Sequence, residues 1–182
     1  YNYRNHKFTP FYSLPENLIR NISLSLPFNH YLLVKIHPHD LSINNAIIDE
    51  VNNNYNVKVI NPLAKLSEVI PNSKLVFSMS TTAAIESLVY FKKLIMFGEN
   101  LQFFGKDFDI VTRITNFENI KYTVKELLHT KINETNIINF FYCFFKNSYS
   151  RDSYDDNKWD RFKILSISVK DLYIKAATTL ND

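Results

Sequence analysis

The chain has 182 residues, of which 46% are hydrophobic and 21% charged, which is typical of one globular domain with a full core. Its net charge of +3 is spread along the chain without a basic run, so nucleic acid is not an expected partner. One cysteine, Cys143, allows no disulfide within the chain and indicates a reducing compartment.

Strand-like and helix-like segments alternate along the chain. Pro15 opens a predicted helix that runs to about Leu26, because proline suits the first helical turn. Short apolar runs predict strands at 31–36, 57–60, 74–78, 93–98 and 109–114. Helical spacing of apolar residues predicts helices at 42–53, 63–70, 81–91, 117–129, about 135–147 and 161–178.

This alternation predicts a single α/β domain over residues 1–182. The strands are continuous apolar runs rather than polar/apolar alternations, which is typical of a parallel sheet covered on both faces. We therefore expect a doubly wound, Rossmann-like parallel sheet. In such a sheet, ligands bind outside the carboxyl ends of the strands, close to helix N-termini.

The first candidate site is the strand end "VKIHPHD". Pro38 breaks the strand, so His37 falls at its carboxyl edge with Lys35 two residues before it. A histidine there can donate a hydrogen bond to a phosphate or stabilise a leaving phosphate. The alternative is a histidine that merely ends a strand.

The same stretch raises a metal site as a second alternative. His37 and His39 would point the same way on a strand, but a metal needs further His or Asp ligands on other strands. None of the other histidines, His6, His30 and His129, lies at a predicted strand end. We therefore expect no metal.

The second candidate site is "VFSMSTTAAIES", where hydroxyl residues follow a strand and begin a helix. The chain has two glycines, Gly98 and Gly105, too few for a dinucleotide fingerprint or a P-loop. A phosphate site must then use hydroxyls, a helix N-terminus or a cation. The available hydroxyls are those of Ser78, Ser80, Thr81 and Thr82.

Two carboxylates complete the set of candidates. Glu86 lies four residues after Thr82 on the same helix face, where it can accept hydrogen bonds from the two hydroxyls of a ribose. Its alternative is a solvated surface residue, since Ala84, Ile85 and Leu88 form the predicted buried side. Glu16, in "SLPE", is a further candidate, with a simple acidic helix start as its alternative.

Taken in order, these segments resemble the C-terminal half of the capsule polysaccharide biosynthesis family. That family includes bacterial β-Kdo transferases, which use CMP-Kdo and have the two-domain GT-B glycosyltransferase fold. The resemblance covers most of residues 8–178. "SLPENL" is similar to the family's "QPE" segment, "LLVKIHP" to "lvvKpHP", and "VFSMSTTAAIESLVYFKKLIMFGE" to "vvt-sSTvglEAlllGkPVi-fG". "DIVTRITNFENIKYTVKELL" fits the strand and helix that follow.

The resemblance implies roles for individual residues. Lys35 and His37 match "KpHP", whose histidine faces the donor phosphate and is the catalytic candidate. The three residues 80–82 match "sST", which binds the phosphate of the nucleotide. Glu86 matches the acid of "EAl", expected near the ribose, and Glu16 matches the acid of "QPE".

The chain also departs from the family pattern. Ala84 stands where the family has glycine, and Ser87 where it has alanine. Phe91-Lys92-Lys93 replaces Gly-Lys-Pro, so a helix-ending glycine and a rigid turn are missing. These changes bear on the identity of the nucleotide and on whether the chain is active.

The function implied by the resemblance is transfer of a sugar in capsule or lipopolysaccharide synthesis. The donor would be a nucleotide sugar, CMP-Kdo first, and the acceptor a glycan or glycolipid. No cofactor or metal is expected, because His37 and the helix start would neutralise the leaving phosphate. The expected location is the bacterial cytoplasm, and peripheral association with the inner face of the cytoplasmic membrane is compatible with it.

Because the first residue is Tyr1 and not Met, we expect the chain to be a segment of a longer protein. The resemblance implies that the upstream part is an N-terminal acceptor domain, which supplies the catalytic base. Residues 1–182 should then bind a nucleotide and transfer little or nothing. Two alternatives stay open. One is a GT-B relative that uses a UDP-sugar, or a sugar-nucleotide epimerase; the other is a non-catalytic interaction domain with a degenerate nucleotide site.

Overall fold

The computed structural model describes residues 14–36, 45–79, 81–97 and 108–148. Predicted helices and strands appear in the predicted order throughout these ranges, whereas the helix predicted at 161–178 lies outside them. The strands are β1 Leu32–Lys35, β2 Val57–Ile60, β3 Leu75–Ser78, β4 Lys93–Phe97 and β5 Val111–Ile114. The helices are α1 Pro15–Ser25, α2 Asn45–Asn53, α3 Leu66–Val69, α4 Thr81–Val89, α5 Ile120–His129 and α6 Glu134–Ser148.

The strands pair in parallel, which confirms the predicted α/β class. β1 pairs with β2, with Leu32 opposite Val57, to form a two-stranded sheet. β3, β4 and β5 form a three-stranded sheet with β4 in the centre. Hydrogen bonding among the described residues therefore defines two parallel sheets.

β4 is buried on both of its faces. Ile95 and Phe97 enter a core cluster that also contains residues of α1, β1, β2, β5 and α5. Leu94 and Met96 enter a second cluster with residues of α4 and α6. Since successive strand residues point to opposite faces, helices cover both sides of this sheet, as a continuous apolar strand requires.

α1 begins as its sequence predicts. Pro15 occupies the first helical turn, where its missing N–H would have had no partner. Leu18, Ile19 and Ile22 recur at helical spacing and are buried in the first core cluster. This packing fixes the first turn of α1, which carries Glu16.

α3 is shorter than the predicted helix over 63–70. The side chain of Asn61 accepts a hydrogen bond from the backbone N–H of Leu63 at 2.9 Å, and this turn competes with a helix start. At the other end, a 3₁₀ turn over Ile70–Asn72 takes up Pro71. Leu63, predicted to face the core, is instead exposed.

A polar network, here called the amino-end network, joins α1 and α2 where β1 and β2 begin. Arg20 donates to both carboxylate oxygens of Glu50 at 2.8–3.2 Å. Asn54 Nδ2 donates to Glu50 Oε1 at 2.7 Å, and its Oδ1 accepts from Ser23 Oγ at 3.2 Å. Asn56 Nδ2 donates to the Ser23 carbonyl at 2.9 Å. The buried carboxylate of Glu50 is thus fully engaged.

Candidate functional site

Lys35 is the last residue of β1 and holds the turn after β2. Leu32 and Val34 pack in the first core cluster, so strand alternation directs Lys35 to the opposite face of the sheet. Its Nζ donates to the carbonyl of Pro62 at 2.6 Å. The contact orders the loop that leads from β2 to α3 at this sheet edge.

The hydroxyl segment after β3 is described in part. Ser78 ends β3 and is only 6% exposed, so it is buried at the carboxyl end of the strand. Thr81 is the first residue of α4, and Thr82 is exposed in the first helical turn. Ser80 and the His37 position of the first candidate site lie outside the described residues.

α4 buries the side that the sequence predicted. Ala84 and Leu88 are fully buried in the second core cluster, and Ile85 packs against it. Ser87 is also fully buried, and its Oγ donates to the Ala84 carbonyl at 2.7 Å, so the hydroxyl is satisfied within the helix. The methyl group of Ala84, where the resembled family has glycine, therefore faces the core.

Glu86 is not a solvated surface residue. Burial raises the pKa of its carboxyl, and the positive charge of Lys35 partly offsets that rise. Lys35 is therefore close enough to act on Glu86, although no hydrogen bond joins the two side chains. The structure thus brings one residue of each candidate strand end, Lys35 after β1 and Glu86 after β3, into the same electrostatic environment.

Glu16 has a buried carboxylate oxygen. Its Oε2 is enclosed and accepts no hydrogen bond from any group in the described ranges. An unsatisfied buried acceptor costs roughly 1–3 kcal/mol, and such atoms are unusual in folded proteins. Among the described residues, no hydrogen bond or ion pair joins Glu16 to Lys35 or Glu86.

The turn after α4 retains the backbone geometry of a glycine cap without a glycine. Phe91 has φ 51°, in the left-handed region. Its N–H donates to the Leu88 carbonyl and the Lys92 N–H to the Ser87 carbonyl, both at 2.9 Å. These two bonds define a Schellman motif, in which the left-handed residue is usually glycine.

Lys93, the first residue of β4, was not predicted to have a role. Its ammonium group donates to the carbonyls of Leu127 and Thr130, at the C-terminal end of α5. Burial lowers the pKa of Lys93. A cation at a helix C-terminus complements the helix dipole, so Lys93 anchors α5 to β4 in place of the rigid proline turn.

The site was also searched for groups of metal ligands, and the chain was compared with known proteins. Within the ranges that the structure describes, no group of three His, Cys, Asp or Glu side chains is placed to hold a metal ion. His39, the partner of His37 in the metal alternative, lies outside those ranges. Comparison of the chain with protein-family models, curated proteins and solved structures gives no match.

Proposed function

We propose that the chain is the nucleotide-sugar-binding half of a metal-independent glycosyltransferase that acts in bacterial surface polysaccharide synthesis. The observation that carries the proposal is the position of Lys35 at the carboxyl end of β1, where its positive charge acts on the partly buried Glu86 of α4. The two residues lie 51 positions apart in the chain. They come from two separate segments that each resemble part of the same family pattern, and ligands of parallel α/β sheets bind at such strand ends.

Each described candidate has a chemical role in this proposal. Thr82, exposed in the first turn of α4, offers a hydroxyl to the donor phosphate beside the helix N-terminus. Glu86 accepts hydrogen bonds from the ribose, and the charge of Lys35 favours the ionised form of its carboxyl group. Glu16 supplies a further acceptor oxygen. His37 would stabilise the phosphate as it leaves.

The finer fold is part of the same proposal. Helices on both sides of β4 and parallel strands throughout agree with one doubly wound, Rossmann-like sheet in the order β2-β1-β3-β4-β5. The first core cluster contains residues of both sheets, so β1 and β3 share one core. This arrangement would be the donor-binding domain of a GT-B enzyme, and CMP-Kdo is the first candidate donor.

The departures from the family pattern do not argue against a nucleotide site. The Ala84 methyl group lies in the core rather than at the helix start. Phe91 takes the left-handed conformation that the family glycine would take. The backbone at both positions therefore remains compatible with the proposal.

The test is titration calorimetry of the 182-residue chain with CMP, UDP and GDP. We expect one of the three to bind, and His37→Ala and Thr82→Ala to weaken it by about tenfold or more, the effect of losing a charge-assisted hydrogen bond. Thr82→Ser should retain binding because it keeps the hydroxyl. Thr135→Ala is the matched control, since Thr135 is also exposed and the second residue of a helix, α6.

The role of Glu86 has its own readout. Glu86→Gln should weaken a ribonucleotide more than the matching 2′-deoxyribonucleotide, because only the former offers two adjacent hydroxyls to the carboxylate. The proposal fails if the wild-type chain binds no nucleotide. It also fails if His37→Ala and Thr82→Ala both bind as tightly as the wild type.

A further inference from the structure

One face of the β1–β2 sheet keeps large apolar side chains exposed. Leu32, Val34 and Val57 turn to the first core cluster, so Tyr31 and Leu33 turn to the opposite face, here called the outer face. Tyr31, just before β1, is 58% exposed and Leu33 is 47% exposed. Parallel sheets are usually covered on both faces, so exposed apolar residues on β1 indicate that the outer face has a further covering element.

The strand register joins the residues of the outer face into one surface. Leu33 lies opposite Lys58, and the Lys58 ammonium lies 4.8 Å from the centre of the Tyr31 ring. Lys35, two residues after Leu33, donates to the Pro62 carbonyl at 2.6 Å. Both lysines are thus engaged within the chain, and the side chain between them is apolar. The surface therefore suits an apolar occupant rather than an anion.

The outer face continues onto the side of the molecule that α4 and α6 cover. The loop held by Lys35 leads into α3, and α3 packs against α4. α4 and α6 share the second core cluster with Leu94 and Met96 of β4. α3 has four residues, about 6 Å of helix, which is too short to cover two strands. The described helices on this side therefore cover β4 and leave Leu33 of β1 exposed.

The segment that follows α6 begins on this same side. α6 ends at Ser148, the last residue described, and the chain continues to Asp182. By contrast, residues 1–13 precede α1, which packs on the other face in the first core cluster. Residues 149–160, when extended, span up to about 40 Å, whereas β1 lies roughly 10 Å from β4 in the proposed strand order. The helix predicted at 161–178 can therefore reach the outer face.

The sequence of this predicted helix provides an apolar stripe. Four large apolar residues recur at intervals of three and four positions and so share one face of a helix, namely Phe162, Leu165, Val169 and Leu172. A stripe of this kind has to be buried against another element.

We propose that this stripe docks on the outer face of β1 and β2, against Leu33 and Tyr31. The predicted helix would complete, beside α4 and α6, the helix layer that a parallel sheet has on each face. The cover would come from within the chain. The outer face would then be closed to a second copy of the chain and to other proteins.

The test is the rate of thiol alkylation in the full 182-residue chain. Cys143→Ser removes the natural thiol, and Leu33→Cys places a single thiol on the outer face. From the exposed fractions alone, Leu33→Cys should react nearly as fast as Tyr122→Cys, since Tyr122 is 72% exposed on α5. With the helix docked, we expect Leu33→Cys to react at least about tenfold more slowly than Tyr122→Cys, because alkylation requires an accessible thiolate.

Two double variants locate the cover. Val169→Ser/Leu172→Ser removes half of the stripe and should raise the alkylation rate of Leu33→Cys by about tenfold. Ile164→Ser/Ile167→Ser is the matched control, because it also removes two apolar residues of the predicted helix but lies off the stripe. This control should leave the rate unchanged.

Ser87→Cys reports whether the domain stays folded, since Ser87 is fully buried in α4. Its thiol should stay unreactive in every variant, and a simultaneous rise at Leu33 and Ser87 would contradict the inference. The inference is overturned if Leu33→Cys reacts as fast as Tyr122→Cys, or if Val169→Ser/Leu172→Ser leaves the protection intact. It also fails if both double variants act alike, or if dilution removes the protection, which would indicate a second copy. The assay contains no nucleotide, so its result is independent of the proposed function.

Discussion

The two ends of the parallel strands satisfy their polar side chains in different ways. At the amino ends of β1 and β2, the carboxylate of Glu50 is buried and receives hydrogen bonds from Arg20 and Asn54. At the carboxyl end of β1, Glu86 is partly buried, and the charge of Lys35 favours its ionised form. The enclosed oxygen of Glu16 accepts no hydrogen bond from the described residues.

The difference separates stabilising from functional chemistry. A buried charge that is fully hydrogen-bonded ties elements together and has nothing left to offer a ligand. A buried carboxylate with unfilled acceptors lowers stability and can be satisfied by a ligand, as residues at binding sites often are. We therefore propose that the amino-end network stabilises the fold, whereas Glu16 and Glu86 belong to the candidate site.

The largest expected effect is that of Glu50→Ala. Loss of the carboxylate leaves the Asn54 amide only the backbone carbonyl of residue 50 as an acceptor and removes the ion pair with Arg20 that joins α1 to α2. The melting temperature should therefore fall by about 5 °C. Nucleotide affinity should not change. Glu126→Ala, at an exposed position of α5, is the control. Thermal unfolding followed by circular dichroism measures both melting temperatures. An equal fall in Glu50→Ala and Glu126→Ala would show that the amino-end network does not stabilise the fold.

Phe91 lies in the turn before the amino end of β4 and gives a second and smaller test of stability. Phe91→Gly and Phe91→Ala both lose the ring, but only alanine keeps a Cβ in the left-handed region. Phe91→Gly should therefore be more stable than Phe91→Ala by about 1 kcal/mol. Urea unfolding of both variants measures the difference. At Tyr90, whose φ is not positive, the order should reverse.

The smallest expected effect is that of Glu86→Gln on stability. Burial raises the folded-state pKa of Glu86, so the folded protein holds this proton more tightly than the unfolded chain. Ionised Glu86 therefore lowers stability as pH rises through its folded pKa. Glu86→Gln should be slightly more stable than wild type at neutral pH, and the gain should vanish below about pH 4, near the ordinary pKa of Glu.

The measurement for Glu86→Gln is the midpoint of urea unfolding at several pH values. A variant that is less stable than wild type at neutral pH would show that Glu86 contributes to the fold rather than to a site. Glu126→Gln, at an exposed position of α5, provides the baseline for loss of a solvated carboxylate.

Much of the fold was predictable from local patterns. The strand at 57–60 was predicted at its observed bounds, and the helix at 15–26 ends within one residue of its predicted end. Both predictions depend on signals that span only a few residues, namely the spacing of apolar residues and the proline at the helix start. The predicted start of α3 was wrong, because the Asn61 side chain forms a turn there. The sequence shows that an asparagine is present before the helix. Whether its side chain forms a turn there depends on its rotamer, which the sequence does not show.

The candidate site was predictable as residue types but not as contacts. Thr82 and Glu86 could be placed on one helix face from their spacing alone. The effect of the Lys35 charge on Glu86 depends on how β1 lies relative to α4, which no local pattern encodes. The anchoring of α5 by Lys93 is a contact of the same long-range kind.

Residue type and short-range period are enough to specify the alternation of strands and helices, the buried side of α4 and the absence of a glycine-rich phosphate loop. The burial of Glu86, the enclosure of the Glu16 oxygen and the left-handed conformation of Phe91 are known only from the folded protein. Each of these depends on which distant surfaces pack together, since desolvation and strain are imposed by neighbours that the chain brings in from elsewhere.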